Sequence, residues 1–164
     1  MIDVRDVQIR FGAELNRRMD LKGISYRQLA YESRVSKGSM VHYKSRNAFP
    51  EVWNLILMAD YLDCSVDELL DYDEPNTTPE WRVKRIPAIE HFYTEDEFAD
   101  YFRERLIKFM KAKHMDLDEL AQRSDISART IDMYLSVHRW VPQTPNLLRL
   151  ADALDCTPSD LLGY

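Results

Sequence analysis

Thirteen residues, DYLDCSVDELLDY at 60–72, recur 92 positions later as DALDCTPSDLLGY at 152–164. A repeat constrains a fold more than a single motif does, because the packing that serves one copy must also serve the other. A shift of 91 places Phe11 on Phe102, Leu15 on Leu106, Met19 on Met110, Leu29 on Leu120, Ala30 on Ala121, Ser33 on Ser124, Val35 on Ile126, Ser36 on Ser127 and Tyr43 on Tyr134. After one extra residue between Leu135 and Pro142, a shift of 92 pairs Pro50 with Pro142, Asn54 with Asn146, Leu55 with Leu147, Ala59 with Ala151 and Leu62 with Leu154. The matched positions are those a helical core fills. Two domains are therefore expected, at 1–72 and 94–164, separated by a linker at 73–93.

The linker, DEPNTTPEWRVKRIPAIEHFY, holds three of the seven prolines and no helical apolar period. Trp81, Val83, Ile86 and Ile89 make it too apolar for a free tether, so part of it is expected to lie extended against a domain surface. Each unit reads as five helices. Asp3 and Asp6 with Ile2 and Val7, then Thr94 and Glu97 with Tyr93 and Phe98, carry matching helix-start signals and hydrophobic staples. In the first unit Val7, Phe11, Leu15 and Met19 keep helical spacing to a stop near Gly23. Ser25, Ser36 and Ser65 are placed to cap the second, third and fifth helices, and Pro50 to open the fourth. Asp116, Ser127, Pro142 and Thr157 do the same in the second unit. No strand signal lies outside the linker.

Composition excludes several classes. With 45% hydrophobic and 30% charged residues, the chain reads as an ordinary soluble protein. No apolar window reaches the length of a membrane span and no secretory signal opens it, so no membrane partner and a cytoplasmic, nucleoid-associated location are expected. Two cysteines 92 residues apart offer neither a disulfide framework nor a zinc site. His42, His91, His114 and His138 lack metal spacing and a paired nucleophile, and no phosphate-binding glycine loop is present. An enzyme is not expected, and neither a cofactor nor a metal. Met19, Met40, Met58 and Met110 fall at core positions and read as packing.

Two short helices joined by the break Arg34-Val35-Ser36, with Ala30 small where the third helix crosses the second, fit a helix-turn-helix. Here ISYRQLAYESRVSKGSMVHY, Pro50 and LMADYLDCSVDELL resemble the lambda-repressor-like (Xre/Cro-type) DNA-binding domain, and MDLDELAQRSDISARTIDMY with LADALDCTPSDLL resembles it again. The resemblance implies an all-α chain of two tandem five-helix helix-turn-helix domains, each with its third helix in a DNA major groove. It makes Lys37, Gly38, Ser39 and His42 base-facing in the first unit, and Ala128, Arg129, Thr130 and Met133 in the second. Phosphate contacts are implied for Tyr26, Arg27, Ser36, Lys44, Arg46, Asn47 and Arg139. Tyr26 departs from the family's usual glutamine and Lys44 from its common glutamate.

Charge distribution agrees better than total charge. The chain is −6 overall, but residues 10–46 hold nine Lys or Arg against three acids, whereas residues 47–72 hold six acids and no base. A basic face of +6 on the first helix-turn-helix is a local footprint for duplex DNA. Residues 103–139 reach only +2, with Asp132 on the third helix and Leu117 where Tyr26 stands. The second unit either reads a divergent half-site or serves dimerisation or protein docking, and an exposed Trp140 would favour docking.

The expected function is sequence-specific binding of double-stranded DNA as a bacterial or phage transcription regulator, a repressor. The different-class alternative is an interaction protein, antitoxin-like or an anti-repressor partner. Two units on one chain can act as a covalent pseudo-dimer, since about 20 linker residues span up to roughly 60–70 Å, beyond the approximately 34 Å between adjacent major-groove faces. A homodimer of such chains is equally open. Cys64 and Cys156 are expected as buried structural thiols, and Asp63 and Asp155 as left-handed residues at a helix end.

Overall fold

Side-chain caps set most of the helix boundaries. A computed structural model describes residues 1–45, 48–72 and 94–163; the linker at 73–93, with its expected extended segment, lies outside them. Asp3 accepts from the backbone N–H of Arg5 and Asp6 to start α1, Val4–Lys22, which ends at Gly23 with φ of 65°. That left-handed turn is where glycine costs least. Ser25 caps α2, Tyr26–Ser33, and Ser36 caps α3, Lys37–Lys44. Between them Arg34 is left-handed, φ 60°, and Val35 is buried, so the break is a tight hinge with an apolar anchor. Next comes α4, Val52–Tyr61, whose N-cap Glu51 makes no side-chain cap, one residue past the Pro50 start. Ser65 and Glu68 form a capping box on α5, Val66–Leu70.

The second five helices repeat these devices. Thr94 caps α6, Glu95–Ala112, accepting from Glu97; Tyr93, expected in its staple, lies outside the described residues. Asp116 caps α7, Leu117–Ser124, and Ser127 caps α8, Ala128–Leu135. Gln143 precedes α9, Thr144–Ala153, and Thr157 with Asp160 boxes α10, Pro158–Leu162. Asp63 and Asp155 are left-handed at φ 54° and 51°. No strand is present among the described residues, whose one isolated backbone bridge joins Glu51 to Gln143.

Packing follows the same register. α1 packs on α3 and α5, α2 on α3 and α4, and α4 on α5; each of these contacts recurs among α6 to α10. Leu29, Ala30, Val35, Met40 and Tyr43 are buried together with Met19, Met58 and Met110. Ala30 is 2% exposed on α2, which packs against α3. Beyond these internal contacts α5 packs on α10, so the two sets of helices touch.

Cys64 is 2% exposed, whereas Cys156 is only partly buried. Burial, reinforced by the Asp160 carboxylate, pushes the Cys156 thiol up to about 12. The thiolate is the nucleophilic form, so little of it exists near neutrality. In the folded protein at pH 8, neither cysteine is expected to react with an aromatic disulfide reagent within the time that urea-unfolded protein reacts fully. Rapid native labelling of either one would contradict its role as a packing thiol.

Candidate nucleic-acid interface

The turn between α2 and α3 fixes what α3 presents. Its buried side is Met40 and Tyr43; its open side carries Lys37, Gly38, Val41 and His42, all exposed, with Ser39 half-buried. Ser36 Oγ accepts from the Ser39 N–H at 3.1 Å and lies 2.7 Å from Ser39 Oγ. The hydroxyl expected at a phosphate is thus also the cap that holds the first turn of α3. A Cβ added to Gly38 would meet nothing within 4 Å, so nothing in the protein's own packing demands glycine there. Glycine inside a helix costs about 1 kcal/mol relative to alanine. That cost is offset where a partner must approach the backbone closely.

Val41 was not among the expected base-facing residues. It is 66% exposed and lies one turn from Lys37 and Gly38. The signal for it was in the helical period, which puts positions 37, 38, 41 and 42 on one face. An apolar side chain there suits a thymine methyl.

The cations around this face differ in engagement. Arg10 pairs with Asp6 and Asp71, Arg17 and Arg18 with Glu14, and Lys22 with Asp63, all by way of α1. Arg17 and Arg18 hold the Glu14 carboxyl below its usual range. Arg27, Arg34 and Lys37, on and between α2 and α3, make no ion pair among the described residues. The described cations of the expected +6 therefore divide into a set on α1 paired with acids and a set on and between α2 and α3 that makes no ion pair among the described residues. Arg46 and Asn47 lie outside the described residues, as does the side chain of Lys44. Tyr26 is half-buried and donates its hydroxyl proton to Asn16 Oδ1, so the donor expected at a phosphate is engaged within the protein.

In α8, Arg129 and Asp132 are exposed while Ala128, Thr130 and Met133 are half-buried. Ser127 and Thr130 reproduce the cap of α3, at 3.1 Å from the Thr130 N–H to Ser127 Oγ. Arg129 makes no ion pair among the described residues. Arg139, expected at a phosphate, is instead held on α6, with Nε 3.1 Å from Asp100 and Nη1 3.4 Å from Asp96. The two acids lie about 40 residues upstream, and no local pattern announces the pairing. Trp140 is 50% exposed and Val137 74%.

With this geometry the comparison with known families is specific. Residues 105–164 match the Cro/C1-type HTH DNA-binding domain. The helix-turn-helix at α7 and α8 falls inside that match, which supports a DNA-binding domain in this part of the chain. Neither the curated proteins nor the solved structures compared contain a match. The family match covers the half whose third helix carries both Arg129 and Asp132, while the stretch around α2 and α3, with Arg27, Arg34 and Lys37, lies outside it. Among the described residues no group of His, Cys, Asp or Glu could hold a metal ion, and no helix is long and apolar enough to cross a membrane.

Proposed function

We propose that the chain is a sequence-specific double-stranded-DNA-binding transcription regulator, a repressor, built from two tandem helix-turn-helix domains at 1–72 and 94–164. In this reading α3 enters a major groove with Lys37, Gly38, Ser39, Val41 and His42 at base edges, and Arg27 with the cations after α3 on phosphates. The observation that carries it is the coincidence of an open face on α3 with Arg27, Arg34 and Lys37, which make no ion pair among the described residues, in a chain whose other half matches a DNA-binding family. The recurrence in the second half of the α1–α3, α1–α5, α2–α3, α2–α4 and α4–α5 contacts supports treating both halves alike. Repression is the simplest output, since a protein seated in a promoter groove excludes other proteins without further machinery.

A salt series tests this reading. Association with mixed duplex DNA should weaken steadily as salt rises, with log K falling by about 0.9 per phosphate neutralised for each log unit of salt. A salt-independent affinity would exclude phosphate binding as the main activity. Footprinting across genomic DNA would then show whether one half-site or two unlike half-sites are protected.

A second reading applies to α8 alone. Exposed Trp140 and Val137 beside an Asp132-bearing helix favour protein docking there, as in an antitoxin-like or anti-repressor partner. Arg129→Ala separates the two. If Arg129 reads guanine, the variant should lose about 1–3 kcal/mol on the full site, roughly 5- to 150-fold, and relax sequence preference in one half-site only. An unchanged footprint and affinity would assign the second domain to docking.

A further inference from the structure

The two sets of helices meet at positions that the repeat makes equivalent. Glu51 and Gln143, 92 apart and matched in register, form the isolated backbone bridge. Asp67 and Ser159, also matched, hydrogen-bond each other reciprocally: the Asp67 N–H donates to Ser159 Oγ at 2.9 Å, and the Ser159 N–H donates to Asp67 Oδ1 at 2.8 Å. Both residues are fully buried. Contacts of a position with its own counterpart mark a two-fold arrangement, here approximate and inside one chain.

The chemistry on the two sides is not the same. Thr144 Oγ1 donates to the Pro50 carbonyl at 2.5 Å and is buried. Its counterpart is Val52, which has no hydroxyl to give. Trp53 stacks on Phe98 with ring centroids 5.6 Å apart, where the mirrored pair is Pro145 with Val7. The Asp67–Ser159 pair sets one carboxylate against a neutral hydroxyl. A first half paired with another first half would bury Asp67 against Asp67, and two facing carboxylates away from water cannot both stay charged cheaply. It would also leave Pro50 without its donor. A second half paired with itself would keep neutral serines but lose the charge-assisted bond and the Trp53 contact.

We infer that this face is specified for the other half of the same chain, so the protein is a self-contained pseudo-dimer that does not use the face to bind a second copy. The inference does not depend on DNA binding and is tested without DNA. The full-length variants are Ser159→Asp, which opposes two carboxylates, and the exchange Asp67→Ser with Ser159→Asp, which restores one of each. The expected wild type sediments with the mass of one chain, 19.4 kDa. Its Tm should stay constant over a hundredfold range of protein concentration, as intramolecular pairing requires. Ser159→Asp should lower Tm by several degrees or prevent folding, and the exchange should recover most of the loss, a coupling that neither site carries alone. A wild type that sediments as a dimer with a concentration-dependent Tm, or an exchange variant no more stable than Ser159→Asp, would overturn the inference.

Discussion

Reversing two charges together, Arg27→Glu with Lys37→Glu, should weaken binding to a specific duplex by at least ~30-fold, at about 1–3 kcal/mol for each side chain. The variant is informative because it should fold. Arg27 and Lys37 sit in the first turns of α2 and α3, and neither turn holds an acid. A carboxylate at a helix N-terminus is favourable by about 0.3–1 kcal/mol, so the helices themselves gain slightly from both changes. Neither cation is lost from an ion pair among the described residues, unlike Arg17 or Arg18 on α1. Circular dichroism and a urea melt should therefore match the parent while gel-shift affinity collapses. A parental affinity in a correctly folded variant would remove α2 and α3 from the interface and leave α8 as the site to pursue.

The largest stability effect is expected at Phe11. It is fully buried, meets Tyr43 edge-on with centroids 6.5 Å apart and lies against Phe49 at 6.1 Å. Phe11→Ala should cost about 3–5 kcal/mol in a urea titration, the range for deleting a buried aromatic ring. Because Tyr43 is in the last turn of α3, the ring also seats the helix whose opposite face is proposed to meet DNA. Loss of duplex affinity should then exceed what the unfolded fraction explains. A cost below about 1 kcal/mol would mean that α1 and α3 close over the vacated space, contrary to a tightly packed seat.

What could be read in advance divides by range along the chain. Ser25, Ser36, Ser65, Asp116, Ser127 and Thr157 are legible as caps because each donor they serve lies three residues away. Asp63 and Asp155 are legible as left-handed because a helix end has to turn there and Asp tolerates the conformation. The open face of α3 was legible except for Val41, which the resemblance did not supply although the helical period places it outside. Arg139 could not be read, since its partners Asp96 and Asp100 belong to another helix and nothing in VHRW points to them. The Asp67–Ser159 pair was also illegible. The repeat aligns those positions, but alignment says only that two residues play similar parts, not that they touch.

The buried Asp67–Ser159 contact also bears on how such a molecule can change. Between identical subunits, one codon writes both sides of every contact on the axis, so each substitution there arrives twice and must suit itself. Joining the halves in a single reading frame gives each side its own codon. An acid can then face a hydroxyl, Thr144 can serve a carbonyl that Val52 could not, and α3 and α8 can drift toward different surfaces while the junction between them holds.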